Sequence, residues 1–190
     1  MLRKNVNFNN KQNGFTILEL IVVIIIISIL SLFAIDRIFA IRMAAEQAAV
    51  KQVVGTIKSA LGLEVARLAL EGKLSVVAKL DKSNPLLLLS QSPHNYIGEK
   101  KNSKEITQTG IWYFDKSQKA LVYNVLYTEN FKTSLKGLPR IRHRIELVYS
   151  DRNNNRRFDI NTDGIAGLDL VPIEKFSWVT TIDELSNKNI

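Results

Sequence analysis

The first third of the chain has a long apolar run. Between Phe15 and Ile35 stand 21 residues, of which Glu19 is the only charged one. This length is enough for one membrane-spanning helix of about 20 residues. The 13 large apolar side chains from Leu20 onward favour insertion by about 4 to 8 kcal/mol, against a cost of about 3 kcal/mol for one charge. The segment is therefore predicted to insert into a membrane in spite of Glu19.

A helical pattern continues beyond this span. Residues 36–71 contain no proline and are rich in alanine and leucine, and their apolar positions recur at helical spacing. These positions are Ile41, Ala45, Ala48, Val53, Ile57, Leu61, Val65 and Leu68. We predict one helix over residues 15–71, with the transmembrane part at about 15–35. Gly55 and Gly62 would allow a neighbouring helix or a sheet to approach closely.

The pattern changes after Gly72, where turn-forming residues become frequent. Pro85, Pro93 and Gly98 indicate a connecting loop region over residues 72–104. Its four consecutive leucines, Leu86 to Leu89, are predicted to form at most a short helix that fills part of the core.

Strand patterns begin after residue 105. The runs at Ile111–Phe114 and Ala120–Tyr127 are separated by five polar residues and predict a hairpin. Further on, residues 141–149 alternate in polarity, which is typical of a strand with one buried face. The predicted inner positions are Ile141, Ile145, Leu147 and Tyr149, and the outer ones are Arg142, Arg144 and Glu146.

These elements predict an α+β fold. A long N-terminal helix would pack against a small antiparallel sheet of three or four strands, in a head formed by residues 105–190. One face of the sheet would lie on the helix and the other would be partly wet. The aromatic residues Trp112, Tyr113, Tyr123 and Tyr127 are predicted to lie in the core or to pair across strands.

Charge adds an orientation for the span. The net charge is +8, and the first 14 residues hold Arg3, Lys4 and Lys11 with no acid, which leaves 8 − 3 = +5 for the rest. Because positive flanks stay in the cytoplasm, the head is predicted to be periplasmic. The remaining basic residues are mixed with acids and form no recognition module, which argues against nucleic acid as a partner.

Catalytic chemistry finds little support in the residues. The chain has no cysteine, so thiol catalysis, disulfides and zinc-thiolate sites are excluded. His94 and His143 are far apart in sequence and have no nucleophile near them, and no phosphate-binding loop or catalytic carboxylate pair can be assembled. We therefore expect no enzymatic activity.

Glu19 needs a partner because it is an acid at the head of an apolar helix. If the chain were cut after Gly14, Phe15 would carry a new α-amine, and Glu19 would lie about one helical turn away. The amine of one copy could then pair with the carboxylate of the next copy. Alternatively, Glu19 lies at the membrane interface and extends toward water.

The segment GFTILEL resembles the class III signal of type IV pilins and type II secretion pseudopilins. Gly14, Phe15, Thr16 and Glu19 all match that signal. The resemblance implies that prepilin peptidase cuts between Gly14 and Phe15, after a leader of residues 1–14, and that Phe15 becomes N-methylated. It further implies that Thr16 and Glu19 serve assembly. The helix-breaking proline that the family often has past the middle of the span is missing here, since the first proline is Pro85.

The resulting hypothesis is a subunit of a type IV pilus-like filament or of a secretion pseudopilus. Its partners would be prepilin peptidase, other subunits, the inner-membrane assembly platform and membrane lipid. It would start as a single-pass inner-membrane protein. One alternative is a membrane protein with a periplasmic ligand-binding head that does not polymerise. Another is a secreted protein with a cleaved signal peptide, although no small-residue cleavage site follows Ile35.

One further motif, at residues 150–164, suggests a metal. Its oxygen-bearing side chains stand at spacings that resemble loops which bind calcium, and they are Asp151, Asn153, Asn155, Asp159 and Asp163. Related pseudopilins can have calcium in their C-terminal loop, so the resemblance favours this reading. Asp169 and Glu174 are weaker candidates.

The motif departs from an EF-hand at two positions. Arg156 stands where an EF-hand has glycine, and Thr162 stands where it has its bidentate glutamate. A different calcium loop and a polar turn between strands are the two hypotheses that the residues leave open.

Overall fold

The computed structural model describes residues 14–101, 103 and 106–178. It contains one long helix, α1, over Ile17–Leu70, followed by short helical turns and seven strands. The chain divides into two compact units between Arg42 and Met43. Each unit is described separately below.

The first unit holds the apolar part of α1. Every described residue from Gly14 to Ile35 is solvent-exposed, including isoleucine and leucine side chains that are about half exposed or more. Two serines interrupt the run, and each donates its hydroxyl to the carbonyl four residues earlier: Ser28 to Ile24 at 2.7 Å and Ser31 to Ile27 at 2.8 Å. The hydroxyls are thus satisfied within the helix, as an apolar environment requires.

The second unit begins with the remainder of α1, which buries one stripe of side chains against the sheet. The stripe consists of Met43, Glu46, Val50, Ile57, Leu61 and Leu68. Of the apolar positions that recur at helical spacing, Ile57, Leu61 and Leu68 lie in this buried stripe. Ala45 and Ala48 are exposed, because the charged Glu46 occupies the inward position on that turn.

Helix α1 ends at a glycine cap. Gly72 has φ +69°, and the N–H of Lys73 bonds the carbonyl of Leu68 at 2.8 Å. This is the closing bond of a Schellman motif, whose left-handed residue favours glycine. A short helix, α2, follows at Leu74–Val77, and two 3₁₀ turns follow at Ala78–Leu80 and Pro85–Leu88.

The second of these turns contains three of the four leucines, and Leu89 follows it. Leu86 is buried in the core and Leu88 and Leu89 pack against it, whereas Leu87 is 74% exposed. Asn84 caps the turn, accepting from the N–H of Leu86 at 3.1 Å. The leucine run therefore fills the core as predicted, apart from Leu87.

The described part of the chain forms seven strands in two sheets. They are β1 Tyr96–Lys100, β2 Ile111–Asp115, β3 Ala120–Asn124, β4 Phe131–Thr133, β5 Arg140–Ser150, β6 Gly164–Pro172 and β7 Phe176–Trp178. The main sheet has the order β1-β2-β3-β5-β6, and β4 pairs with β7 in a separate two-stranded sheet. The predicted hairpin is confirmed by the antiparallel register of β2 with β3.

The sheet differs from the prediction in strand number and in direction. It has five strands rather than three or four, and β1 is parallel to β2. β1 lies within residues 72–104, which were predicted to be a loop. Its sequence YIGEK is mostly polar and contains glycine, so its strand conformation depends on pairing with β2 rather than on local pattern.

Both faces of the central strands are covered. Trp112, Leu121 and Ile145 pack in the main core with α1. On the opposite face Tyr113 and Val122 belong to a second buried cluster, which Ile97, Ile106 and Ile173 cover. The prediction of a partly wet outer face is therefore wrong over β2 and β3, whose unbroken apolar runs are typical of strands buried on both sides.

Candidate processing and assembly site

The residues predicted for processing lie just ahead of α1. Gly14, Phe15 and Thr16 precede the first helical residue, Ile17, and all three are exposed, Phe15 by 76%. A side chain added at Gly14 would meet no described residue within 4 Å. The backbone on both sides of the predicted cut is therefore open to an enzyme.

Thr16 caps the helix. Its hydroxyl accepts a hydrogen bond from the backbone N–H of Glu19 at 3.2 Å, which satisfies one of the free donors at the helix start. The order Thr-x-x-Glu is the capping-box pattern. Thr16 was assigned to assembly only by resemblance, although the capping-box pattern in the sequence could also have identified it as a helix cap.

Glu19 lies in the first turn of α1. A carboxylate there is favoured by the partial positive charge of the helix N-terminus. Within the described residues, no side-chain bond to the Glu19 carboxylate is formed. The structure thus presents an exposed acid one turn after the predicted cut.

Helix α1 also supplies a membrane anchor. Among the described residues it is the one helix long and apolar enough to cross a membrane, and its most apolar window has none of its residues buried. The exposed acid thus stands at the start of a membrane-anchoring segment.

A family model places these features together. Residues 9–35 match the model for the prokaryotic N-terminal methylation motif. This is the type IV pilin and pseudopilin signature. The signature contains Gly14, Phe15, Thr16, Glu19 and the apolar first half of α1, and it supports a pilin-like protein that prepilin peptidase processes. Residues 9–13 of the match lie outside the described residues. Comparison with curated proteins and with solved structures finds no match.

The predicted calcium residues lie in the connection between β5 and β6 and bond one another. The Asp151 carboxylate accepts from the N–H groups of Asn155 and Arg156, at 3.2 and 2.7 Å. The Asp163 carboxylate accepts from Arg152 and Asp159 N–H groups, at 3.0 and 2.8 Å. These bonds fold the loop on itself as a series of polar turns.

The amides of this loop face a carboxylate rather than a common centre. Asn153 and Asn155 both donate their side-chain NH₂ groups to Asp159, at 2.8 and 2.6 Å. These bonds lower the pKa of the Asp159 carboxyl. Within the described chain no group of three or more acidic or histidine side chains is placed to hold a metal ion. Calcium binding stays a prediction.

The two weaker candidates are engaged elsewhere. Asp169 forms an ion pair with Lys58 of α1 at 2.8 Å. Glu174 forms a half-buried ion pair with Arg142 on the outer face of the sheet. Neither residue bonds a member of the Asp151–Asp163 loop.

The sequence did not indicate the buried acid that joins α1 to the chain after β3. Glu46 on α1 is 8% exposed, and its carboxylate accepts from the hydroxyl of Tyr123 at 2.9 Å and from the N–H groups of Leu126 and Tyr127 at 2.6 and 3.0 Å. It therefore satisfies the backbone just after β3. A glutamate within an alanine-rich helix gives no local signal of such burial.

The histidines have different surroundings. His143 is 4% exposed and packs edge-on against Phe176. Burial, with a smaller contribution from the charge of Lys58, lowers the pKa of His143 from 6.5 to about 4. The side chain is therefore neutral at pH 7. His94 lines a groove of the head, together with Trp112 and Tyr123.

Proposed function

We propose that this chain is a filament subunit of a type IV pilus or a type II secretion pseudopilus. In this role prepilin peptidase cuts the chain between Gly14 and Phe15, and the subunit assembles through α1. One observation carries the proposal: the pilin signature at residues 9–35 coincides with an apolar helical segment that is exposed throughout.

The exposed segment explains why assembly would follow. A helix that is apolar on all sides must be buried in lipid or against other helices. Lipid would cover it before assembly, and other copies of the subunit would cover it in a filament. The same surface thus serves as anchor and as assembly surface.

Glu19 supplies specificity in this proposal. Cutting after Gly14 creates an ammonium group at Phe15, which in an apolar environment requires an opposite charge. The carboxylate of Glu19 on a neighbouring copy meets that requirement and sets the axial register between subunits. Thr16 would hold the first turn helical, so that the carboxylate projects from a fixed position.

The orientation and the role of the head complete the proposal. Arg3, Lys4 and Lys11 precede the span, and positive flanks favour a cytoplasmic N-terminus and a periplasmic head. The head would act as a structural and interacting part of the subunit, with no enzymatic activity. A phosphatase fused after Ile190 should be active in the periplasm, and inactivity of that fusion would contradict the orientation.

Processing is tested by the mature N-terminus. In cells with active prepilin peptidase, mass spectrometry should find a chain that starts with N-methylated Phe15. Without the peptidase, or with Gly14→Val, the full leader should remain. An intact leader on the unaltered chain in cells with an active peptidase would refute the processing step.

Assembly is tested by crosslinking in cells. An amine-reactive crosslinker should give a ladder of multimers when the assembly platform is present and monomers when it is absent. Glu19→Gln should reduce the ladder, whereas Glu64→Gln is the matched control, because Glu64 lies on the same helix in a local pair with Arg67. Monomers alone in the complete system would favour the alternative, a membrane protein that does not polymerise.

A further inference from the structure

A cavity lies in the head between α1 and the strand β7. Its volume is about 420 Å³, and its apolar walls include Val50 and Val54 from the helix and Phe176 from the strand. Small-molecule sites in proteins typically have volumes of about 300 to 1,000 Å³ and mainly apolar linings with a few polar groups. The cavity is therefore large enough for a small organic molecule.

Two side chains that line the cavity carry polar atoms without a partner. His143 is 4% exposed and Trp178 is 7% exposed. Within the described residues, neither His143 Nδ1 nor Trp178 Nε1 has a hydrogen-bond partner. Most buried polar groups in folded proteins are bonded, and an unpaired one costs about 1–3 kcal/mol. Each of these nitrogens has less than 1 Å² of accessible surface, so both lie behind the cavity wall, and the chemistry offered to a ligand comes from the other lining groups.

The charge at the cavity favours an anion. Lys51 of α1 is the charged side chain among the described residues that line it, and no described acid does so. An ammonium group beside apolar walls matches a molecule with an anionic head and an apolar body.

We propose that this cavity binds a small carboxylate with an aromatic or short alkyl body. The carboxylate would lie near the ammonium group of Lys51, and the apolar body would lie against Val50, Val54 and Phe176. This inference is independent of filament assembly, because the cavity is formed within the second unit of the chain.

The two tryptophans of the chain provide the assay. The full chain is labelled with ¹⁵N-tryptophan in detergent micelles and titrated with phenylacetate, and Trp178→Phe assigns the two indole signals. The signal of Trp178 should shift with saturation at millimolar ligand, and that of Trp112 should not, since Trp112 lines the other groove. A shift of Trp112 alone, or no shift of Trp178, would overturn the proposal.

Glycine substitutions on α1 give a matched pair of variants. Gly55 lines the cavity and Gly62 does not. An added Cβ meets no described atom within 4 Å at either position, so both leucine variants should fold. Gly55→Leu should fill the cavity and abolish the Trp178 shift, and Gly62→Leu should retain it. Equal behaviour of the two variants would contradict the assigned place.

The requirement for an anion is tested separately. Lys51→Met should weaken phenylacetate binding about tenfold, which corresponds to about 1.4 kcal/mol. Benzyl alcohol, which has a similar ring but no charge, should bind at least tenfold more weakly than phenylacetate to the unaltered chain. If benzyl alcohol binds as well as phenylacetate, the cavity is not specific for a carboxylate and the proposal fails.

Discussion

Removing the carboxylate of Glu46 should loosen the head from its own helix. This carboxylate accepts three hydrogen bonds, from the Tyr123 hydroxyl and from the N–H groups of Leu126 and Tyr127. All three donors lie 77 to 81 residues away in sequence. Glu46 therefore joins α1 to the chain that leaves β3, in a way that no apolar contact could replace.

The magnitude follows from what each substitution leaves unpaired. Glu46→Ala leaves two backbone donors and one hydroxyl without an acceptor, and at about 1–3 kcal/mol for each buried unsatisfied group we expect a loss of at least about 3 kcal/mol. Glu46→Gln keeps one acceptor oxygen but turns an NH₂ group toward a backbone N–H, so we expect about 2 kcal/mol. Tyr123→Phe leaves the carboxylate with both backbone donors, and we expect about 1 kcal/mol.

The assay is urea unfolding of the full chain in detergent micelles, followed by tryptophan fluorescence. Trp112 and Trp178 both lie in the buried core of the head, so the signal reports on that unit. Glu64→Gln is the matched control, because the exposed pair of Glu64 with Arg67 should contribute at most about 1 kcal/mol.

The order of the variants decides the outcome. The expected order of destabilisation is Glu46→Ala, then Glu46→Gln, then Tyr123→Phe, with Glu64→Gln smallest. If Glu46→Gln costs no more than Glu64→Gln, the three hydrogen bonds do not stabilise the head and the reasoning is wrong.

A pH series gives a second test of the same contact. Burial, and after it the hydrogen bond to Glu46, raise the pKa of the Tyr123 hydroxyl above its ordinary value of 10.0. Because the folded state keeps the neutral hydroxyl, this stabilisation is present below pH 10 and is lost as the pH rises above it. Tyr123→Phe should therefore reduce the loss of stability at alkaline pH. An identical alkaline profile for the variant would contradict the raised pKa.

Three further predictions concern other parts of the chain. The pKa of His143 falls from 6.5 to about 4 on folding, so the neutral side chain stabilises the fold fully above pH 6.5, and about 3 kcal/mol of stability is lost as the pH falls to 4. Urea unfolding of His143→Leu should lack that part of the loss. An unchanged acid profile of the variant would refute the lowered pKa. The calcium hypothesis predicts that calcium at 100 times its dissociation constant stabilises the chain by about 2.7 kcal/mol. Asp159→Asn should weaken this effect. An unchanged melting temperature after chelation and calcium addition would show that the loop is a polar turn without a calcium site. Thr16→Val removes the hydrogen bond that caps the helix at Glu19 and should reduce the stability of the first turn by about 1 kcal/mol. This loss should be seen as about fivefold faster amide exchange at Glu19, whereas the Thr16→Ser variant should exchange as the unaltered chain does.

The sequence predicted those elements whose signal is local. The apolar run and the helical spacing predicted α1, and the two apolar runs around a polar turn predicted the hairpin of β2 and β3. Alternation predicted β5, in which Ile141 and Ile145 are fully buried. The signal at Gly14 to Glu19 was also local, because a peptidase reads a short segment, and the family model covers that same segment.

The elements that were missed depend on partners distant in sequence. β1 is a polar pentapeptide that becomes a strand through its parallel pairing with β2. β4 and β7 have three residues each and pair across 47 positions, Phe131 with Trp178. Likewise Glu46 is buried by backbone donors about 80 residues further on. Periodicity cannot reveal such contacts, since nothing in the local sequence specifies the partner.

The difference in burial between the two parts of α1 supports the proposed assembly. The head covers a single stripe of the helix in the second unit, marked by Val50, Ile57 and Leu61, whereas the described residues 14–35 are all exposed. A helix that served only to hold the head in a membrane would need no exposed face beyond the lipid. Yet Gly62 lies on the exposed side and lines neither of the two described grooves, and a small residue there costs helix stability but permits close helix approach. Because that cost brings the isolated subunit no benefit, contact with neighbouring copies is the physical reason we infer for it.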